Sequence, residues 1–141
     1  VTKTGRVIIV ERYTREIITT NPDVLFVFGD NLARVGYGGQ AREARGCKNA
    51  VGIPTKVSPM QKITDELVQL NPARYCVPVR EAFDKLHAHL KEGKHVVWPK
   101  DGVGTGLAAL PTHAPRFLEG IEAHKERLFN QASMVVRHNF N

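Results

Sequence analysis

Residues 23–39, DVLFVFGDNLARVGYGG, decide the fold. Asp23 to Phe28 reads as a strand built on the unbroken apolar run Val24-Leu25-Phe26-Val27-Phe28, whose β-branched and aromatic side chains favour extended backbone. A strand without polar alternation is buried on both faces, as at the centre of a parallel sheet covered by helices. The run opens at Gly29, Asp30 and Asn31 into a loop carrying Gly36, Tyr37, Gly38 and Gly39. A second stretch, VVWPKDGVGTGLA at residues 96–108, repeats the pattern with Gly102, Val103, Gly104, Thr105 and Gly106. Ligands of open α/β sheets bind beyond the carboxyl ends of the strands. Glycines there let successive backbone N–H groups converge on an anion. Tight turns of positive φ would use the same glycines, but two such loops, each after a strand, suit two linked phosphates.

Outward from these stretches, Arg6 to Glu11 reads as a strand, and Thr14 to Thr20 as either a short helix capped by Thr14 or another strand. Gln40 to Arg45 begins a short helix ended by Gly46, and Ala50 to Lys56 is a strand interrupted by Pro54. Ser58-Pro59-Met60-Gln61 has the form of a helix start. Val79, Ala82, Phe83, Leu86 and Leu90 fall on one helical face, with Gly93 as C-terminal cap. His95 to Trp98 is a strand, and Trp98 is a core residue. Thr112 caps a helix with Phe117, Leu118, Ile121 and Leu128 on its apolar face, and Met134 to Val136 is a final strand. Strands alternating with helices imply an α/β layer fold.

The 141 residues suit one domain, 1–141, and 42% apolar with 24% charged residues is ordinary globular composition. No apolar run approaches the roughly 20 residues of a membrane span, and no basic-then-apolar leader opens the chain, so a soluble, cytoplasmic protein is expected. Cys47 and Cys76 lack metal or disulfide spacing, and the six histidines form no metal constellation, so no metal or cofactor is implied. Net charge is +6, and residues 1–62 hold 10 Lys and Arg against 5 Asp and Glu. That balance fits an anionic partner, either nucleic acid or a phosphorylated small molecule. Arg34, Arg42 and Arg45 make either a basic rim or a solvated face.

Familiar phosphate motifs do not fit. Gly36-x-Gly38-x-x-Ala41 stands seven residues beyond its strand and has no ribose-binding acid downstream, and no GxxxxGK[ST] occurs. Asn31 offers a donor and an acceptor to ribose hydroxyls. Asp30 either accepts from a sugar, places a water, or caps the following turn. Asp101 is a second candidate base, while Lys56 and Lys100 either neutralise phosphate or lie solvated at the surface. An exposed Tyr37 ring would stack on a base or cover a ribose.

In order along the chain, FVFGDNLARVGYGGQA (26–41), GIPTK (52–56) and GVGTGLAALPTHAP (102–115) resemble a family of phage and bacterial macro-like domains. Departures are Asp30 where that family often has Ser, Tyr37 among the small residues of the first loop, and a second motif shifted by one residue at Thr105. The resemblance implies a three-layer α/β/α fold with a mixed sheet and an ADP-ribose ligand. Gly29, Gly36, Gly38 and Gly39 with Gly102 to Gly106 would hold the diphosphate. Asn31 would orient the distal ribose, and Asp30 or Asp101 would place the water if the protein is an ADP-ribosyl hydrolase rather than a binder. The competing reading is a basic nucleic-acid-binding or phage-type accessory protein acting through a macromolecular partner.

Overall fold

Both faces of the 23–28 strand are covered. In the structure, a computed structural model describing residues 3–138, this strand is β2, Leu25–Asn31. Leu25 and Val27 point into one core layer, Phe26 and Phe28 into the other. Around it come β1 (Val7–Val10), α1 (Arg15–Thr20), α2 (Ala41–Ala44), β3 (Ala50–Ser58), β4 (Gln61–Lys62), α3 (Asp65–Leu70) and α4 (Pro72–Lys91). The chain closes with β5 (Val96–Pro99), α5 (Leu110–His113), α6 (Pro115–Gln131) and β6 (Val135–Arg137).

Among the described residues one sheet forms, in the order β4-β3-β2-β5-β1-β6, parallel except for the antiparallel edge strand β4. The path explains the layers. From β1 to β2 to β3 the chain moves one way across the sheet, and from β3 to β5 to β6 it moves back. Right-handed crossovers in opposite directions put their helices on opposite faces. Ile18 of α1 and Ala41 and Ala44 of α2 accordingly pack with Phe26, Phe28 and Val97. Phe83 and Leu86 of α4 and Ile121 and Leu128 of α6 pack with Val27, Ile53 and Trp98. The result is a three-layer α/β/α fold with a mixed sheet. The neighbouring strands β2 and β5 send their connections to opposite sides, which opens a crevice at their carboxyl ends. No helix among the described residues is long and apolar enough to cross a membrane.

Of the two readings of residues 14–20 the helix is the one that forms, α1 capped by Thr14, whose Oγ1 accepts from the Ile17 amide at 3.2 Å. Other elements differ from the sequence expectation for tertiary reasons. Ser58 to Gln61 is not a helix start but the turn of the β3–β4 hairpin, because β3 continues through Pro54 instead of stopping there. Pro54 is tolerated beside a bulge, where Asp30 pairs with Pro54 but Asn31 with Lys56, leaving Thr55 as the extra residue. Thr64, not Ser58, caps the next helix. Thr112 lies inside α5 and caps nothing. α6 starts at Pro115, and the first turn of its backbone is satisfied from another element. Asp65 of α3 accepts the Arg116 and Phe117 amides at 3.1 and 3.0 Å.

Because those orphan amides have Asp65 as their acceptor, Asp65→Ala should lower stability by about 1–2 kcal/mol. Urea unfolding checks it; an unchanged midpoint would show that the cap contributes nothing.

Candidate functional site

The crevice above β2 and β5 is a cleft of about 540 Å³ between the two glycine loops, within the range of small-ligand sites. The structure gathers there Gly29, Asp30 and Asn31 at the end of β2, and Gly36, Tyr37, Gly38 and Gly39 of the first loop. Lys56 reaches it from β3, and Asp101, Gly102, Gly104, Thr105 and Gly106 from the second loop. Two expected residues are elsewhere. Val103 is buried in the core, 2% exposed, because the loop's alternation turns it inward. Lys100 pairs with Glu11 at 3.1 Å beside β1, so it is not a phosphate ligand of this cleft.

Asp30 is held within the protein rather than pointing freely at the cleft. Its carboxylate is buried, pairs with Arg45, and meets Arg34 at 3.0 Å. It also accepts the Asn31 amide at 2.8 Å. The space for it comes from Gly52 on β3, where an added Cβ would lie 2.8 Å from the Asp30 Cβ. Asn31 is likewise engaged locally. Its Nδ2 donates to the Val35 carbonyl at 2.8 Å, and its Oδ1 accepts the Val35 amide at 3.4 Å. Arg34 and Arg45 thus converge on one carboxylate instead of forming a basic rim; Arg42 alone of the three has no part in it. An Asp ending a strand buried on both faces needs a cationic partner, but nothing local in the sequence marks Arg45 as that partner.

Gln40, which no motif marks, bolts the two loops together. Its Oε1 accepts the Gly29 amide at 2.6 Å, and its Nε2 donates to the Gly102 carbonyl at 2.9 Å. Leu107 leans from the second loop toward Gly38, where an added Cβ would lie 3.3 Å from its Cδ1. Gly104, at φ +83, has no room for a side chain beside Leu110.

Several loop carbonyls are occupied, those of Val35 and Gly36 by Arg45, Gly39 by the Arg42 amide and Gly102 by Gln40, while those of Tyr37, Gly38, Val103 and Thr105 have no donor among the described residues. Asp101, Gly104 and Gly106 carbonyls accept from Thr105 Oγ1, the Leu110 amide and the Ala109 amide. By contrast, among the described residues, the amides of Tyr37, Gly38, Gly39, Gly104, Thr105 and Gly106 donate to no internal acceptor. Six amides without an internal acceptor, gathered from two loops around one cleft, are suited to an anion. Of the lining carboxylates, Asp101 is the exposed one without an ion-pair or hydrogen-bond partner among the described residues.

A second hollow of about 560 Å³ lies in the other helical layer, between α3, α4 and α6, with Cys76 and His124 in its wall. Burial pushes the His124 pKa down, and its ring stacks on Phe83 at 4.9 Å. The hollow's Asp65 is occupied in capping α6, and no glycine loop enters it, so the chemistry concentrates in the loop cleft.

The chain belongs to a family of unknown function (DUF7831), matched over residues 8–124, a span that includes both loops and the whole cleft. No curated protein and no solved structure matches it.

Removing one partner of a buried ion pair strands the other charge. Asp30→Ala should therefore cost about 3 kcal/mol in chemical unfolding, well above an exposed Asp→Ala change. Gln40 gives a finer test by amide hydrogen exchange. Gln40→Ala should expose the Gly29 amide, whereas Gln40→Glu should keep it protected while repelling the Gly102 carbonyl and loosening residues 101–106. Equal protection of Gly29 in both variants would rule out the bolt.

Proposed function

We propose that this chain binds ADP-ribose or a closely related nucleoside diphosphate in the cleft between its two glycine loops. The observation that carries the reading is the set of amides, Tyr37 to Gly39 in the first loop and Gly104 to Gly106 in the second, that lack internal acceptors among the described residues. Diphosphate oxygens are acceptors only, so they complement such a surface without requiring it to reorganise. Each loop would take one phosphate, and the Gln40 bridge holds the two at a set separation.

The rim supports a ligand with an apolar or aromatic end. Val35, Tyr37 and Leu107 line the cleft yet are 51%, 66% and 64% exposed, an unfavourable arrangement unless something covers them. A nucleobase stacked on Tyr37 would do so. The ordered motifs shared with macro-like domains agree with this reading, since FVFGDN, IPTK and the second glycine loop all contribute residues to one cleft. With Asp30 and Asn31 engaged internally, a hydrolytic reaction at the site would depend on Asp101 to take a proton from water.

Calorimetric titration with ADP-ribose should give about micromolar binding, corresponding to roughly −8 kcal/mol, with AMP and NAD as comparison ligands. Gly38→Glu places a carboxylate among the amides and should weaken ADP-ribose at least tenfold while leaving the melting temperature in place. Absence of heat with all three ligands would overturn the reading.

A further inference from the structure

We propose that Lys56 and the first glycine loop form a subsite for a terminal phosphate, so that the cleft holds a nucleoside diphosphate ending in a free phosphate more tightly than the same diphosphate capped by an ester. The inference rests on the binding reading above and goes on to name which diphosphates the site favours.

It follows from the charges around the cleft. Asp30, Arg45, Lys56 and Asp101 line it, and Arg34 adds a second guanidinium on Asp30. Three cations thus stand against two carboxylates, and they are unevenly placed. Asp30 is shared by Arg34 and Arg45, so that group keeps a net positive charge against the first loop, whose Val35 and Gly36 carbonyls Arg45 also holds. Lys56 pairs with no carboxylate among the described residues. Its Nζ donates to the Pro59 carbonyl at 2.6 Å, a neutral acceptor that uses one of three N–H groups and leaves the charge unmet. Pro59 in turn packs on the first loop, since a Cβ added at Gly36 would lie 3.1 Å from its Cγ. The ammonium is therefore held on the side of the cleft that carries the amides of Tyr37, Gly38 and Gly39. Asp101 belongs to the other side, where Thr105 Oγ1 donates to its carbonyl.

That arrangement distinguishes phosphates by charge. An esterified phosphate carries one negative charge, spread over oxygens that loop amides can satisfy. A terminal phosphate has a second pKa of about 6 and carries nearly one charge more at neutral pH. Sites for terminal phosphates meet that charge with Lys, Arg or a metal ion. In this cleft Lys56 is the lining cation whose charge no carboxylate answers, and it keeps two N–H groups for phosphate oxygens. One more negative charge within a few ångströms of it should strengthen binding about three- to tenfold.

The test titrates ADP and its β-methyl ester, which differ by one charge and a methyl group, with ADP-ribose as the check on the binding reading. Divalent cations are left out, because they would neutralise the same phosphate. The ester is the matched comparison, since the second ribose of ADP-ribose adds contacts of its own. ADP should bind the wild-type protein about three- to tenfold more tightly than the ester at low salt. Raising the salt should shrink the gap as the ammonium is screened. Lys56→Gln should close it, and Lys56→Glu should reverse it in favour of the ester. Because the readout is a ratio of two ligands on one protein, a change in stability alone does not move it. An ester that binds the wild-type protein as tightly as ADP, while ADP-ribose still binds, would overturn the selection and leave the binding reading standing. A gap unchanged in both Lys56 variants would overturn the role of Lys56. Failure of all three ligands would instead bring down the binding reading, and this inference with it.

Discussion

The ion pair between Asp30 and Arg45 fixes the architecture of the cleft. A carboxylate at the end of a strand buried on both faces is costly to desolvate unless a cation meets it. Arg45 does so from just beyond α2, and the same guanidinium donates to the carbonyls of Val35 and Gly36. Holding the charge and shaping the first loop are therefore one event. With the Val35 and Gly36 carbonyls drawn to Arg45, the amides of Tyr37, Gly38 and Gly39 remain without an internal acceptor. Gly52 makes this possible by carrying no side chain where the Asp30 carboxylate lies.

Sheet topology supplies the second loop. β2 and β5 lie side by side only because the chain reverses its direction across the sheet after β3. That reversal brings residues 101–108 against residues 29–40, and Gln40 then ties them across 62 positions of sequence. A few short contacts thus turn two separate turns into one cleft.

The bulge at Thr55 is a smaller device with the same purpose. Thr55 Oγ1 donates to the Asp30 carbonyl at 3.2 Å, bracing the strand end that carries the ion pair. The extra residue shifts the register so that Asn31 lies opposite Lys56. The IPTK segment is thereby both a core strand and part of the cleft wall.

The amino-acid sequence by itself determined the buried strand, the general alternation of strands with helices, the two glycine loops and their positions beyond strand ends. These depend on local apolar runs and on backbone freedom at glycine, which act over a few residues. It also marked Asp30, Asn31 and Asp101 as polar groups near those loops. Only the tertiary structure decided which of them are available: Asp30 and Asn31 are engaged by partners, Asp101 is not, and Lys100 and Val103 face elsewhere. Residues 58–61 show the same division, since helix-start chemistry yields to the pairing of β3 with β4. Gln40 and Arg45 have no local signature, because their roles arise from partners that only the sheet brings within hydrogen-bonding distance.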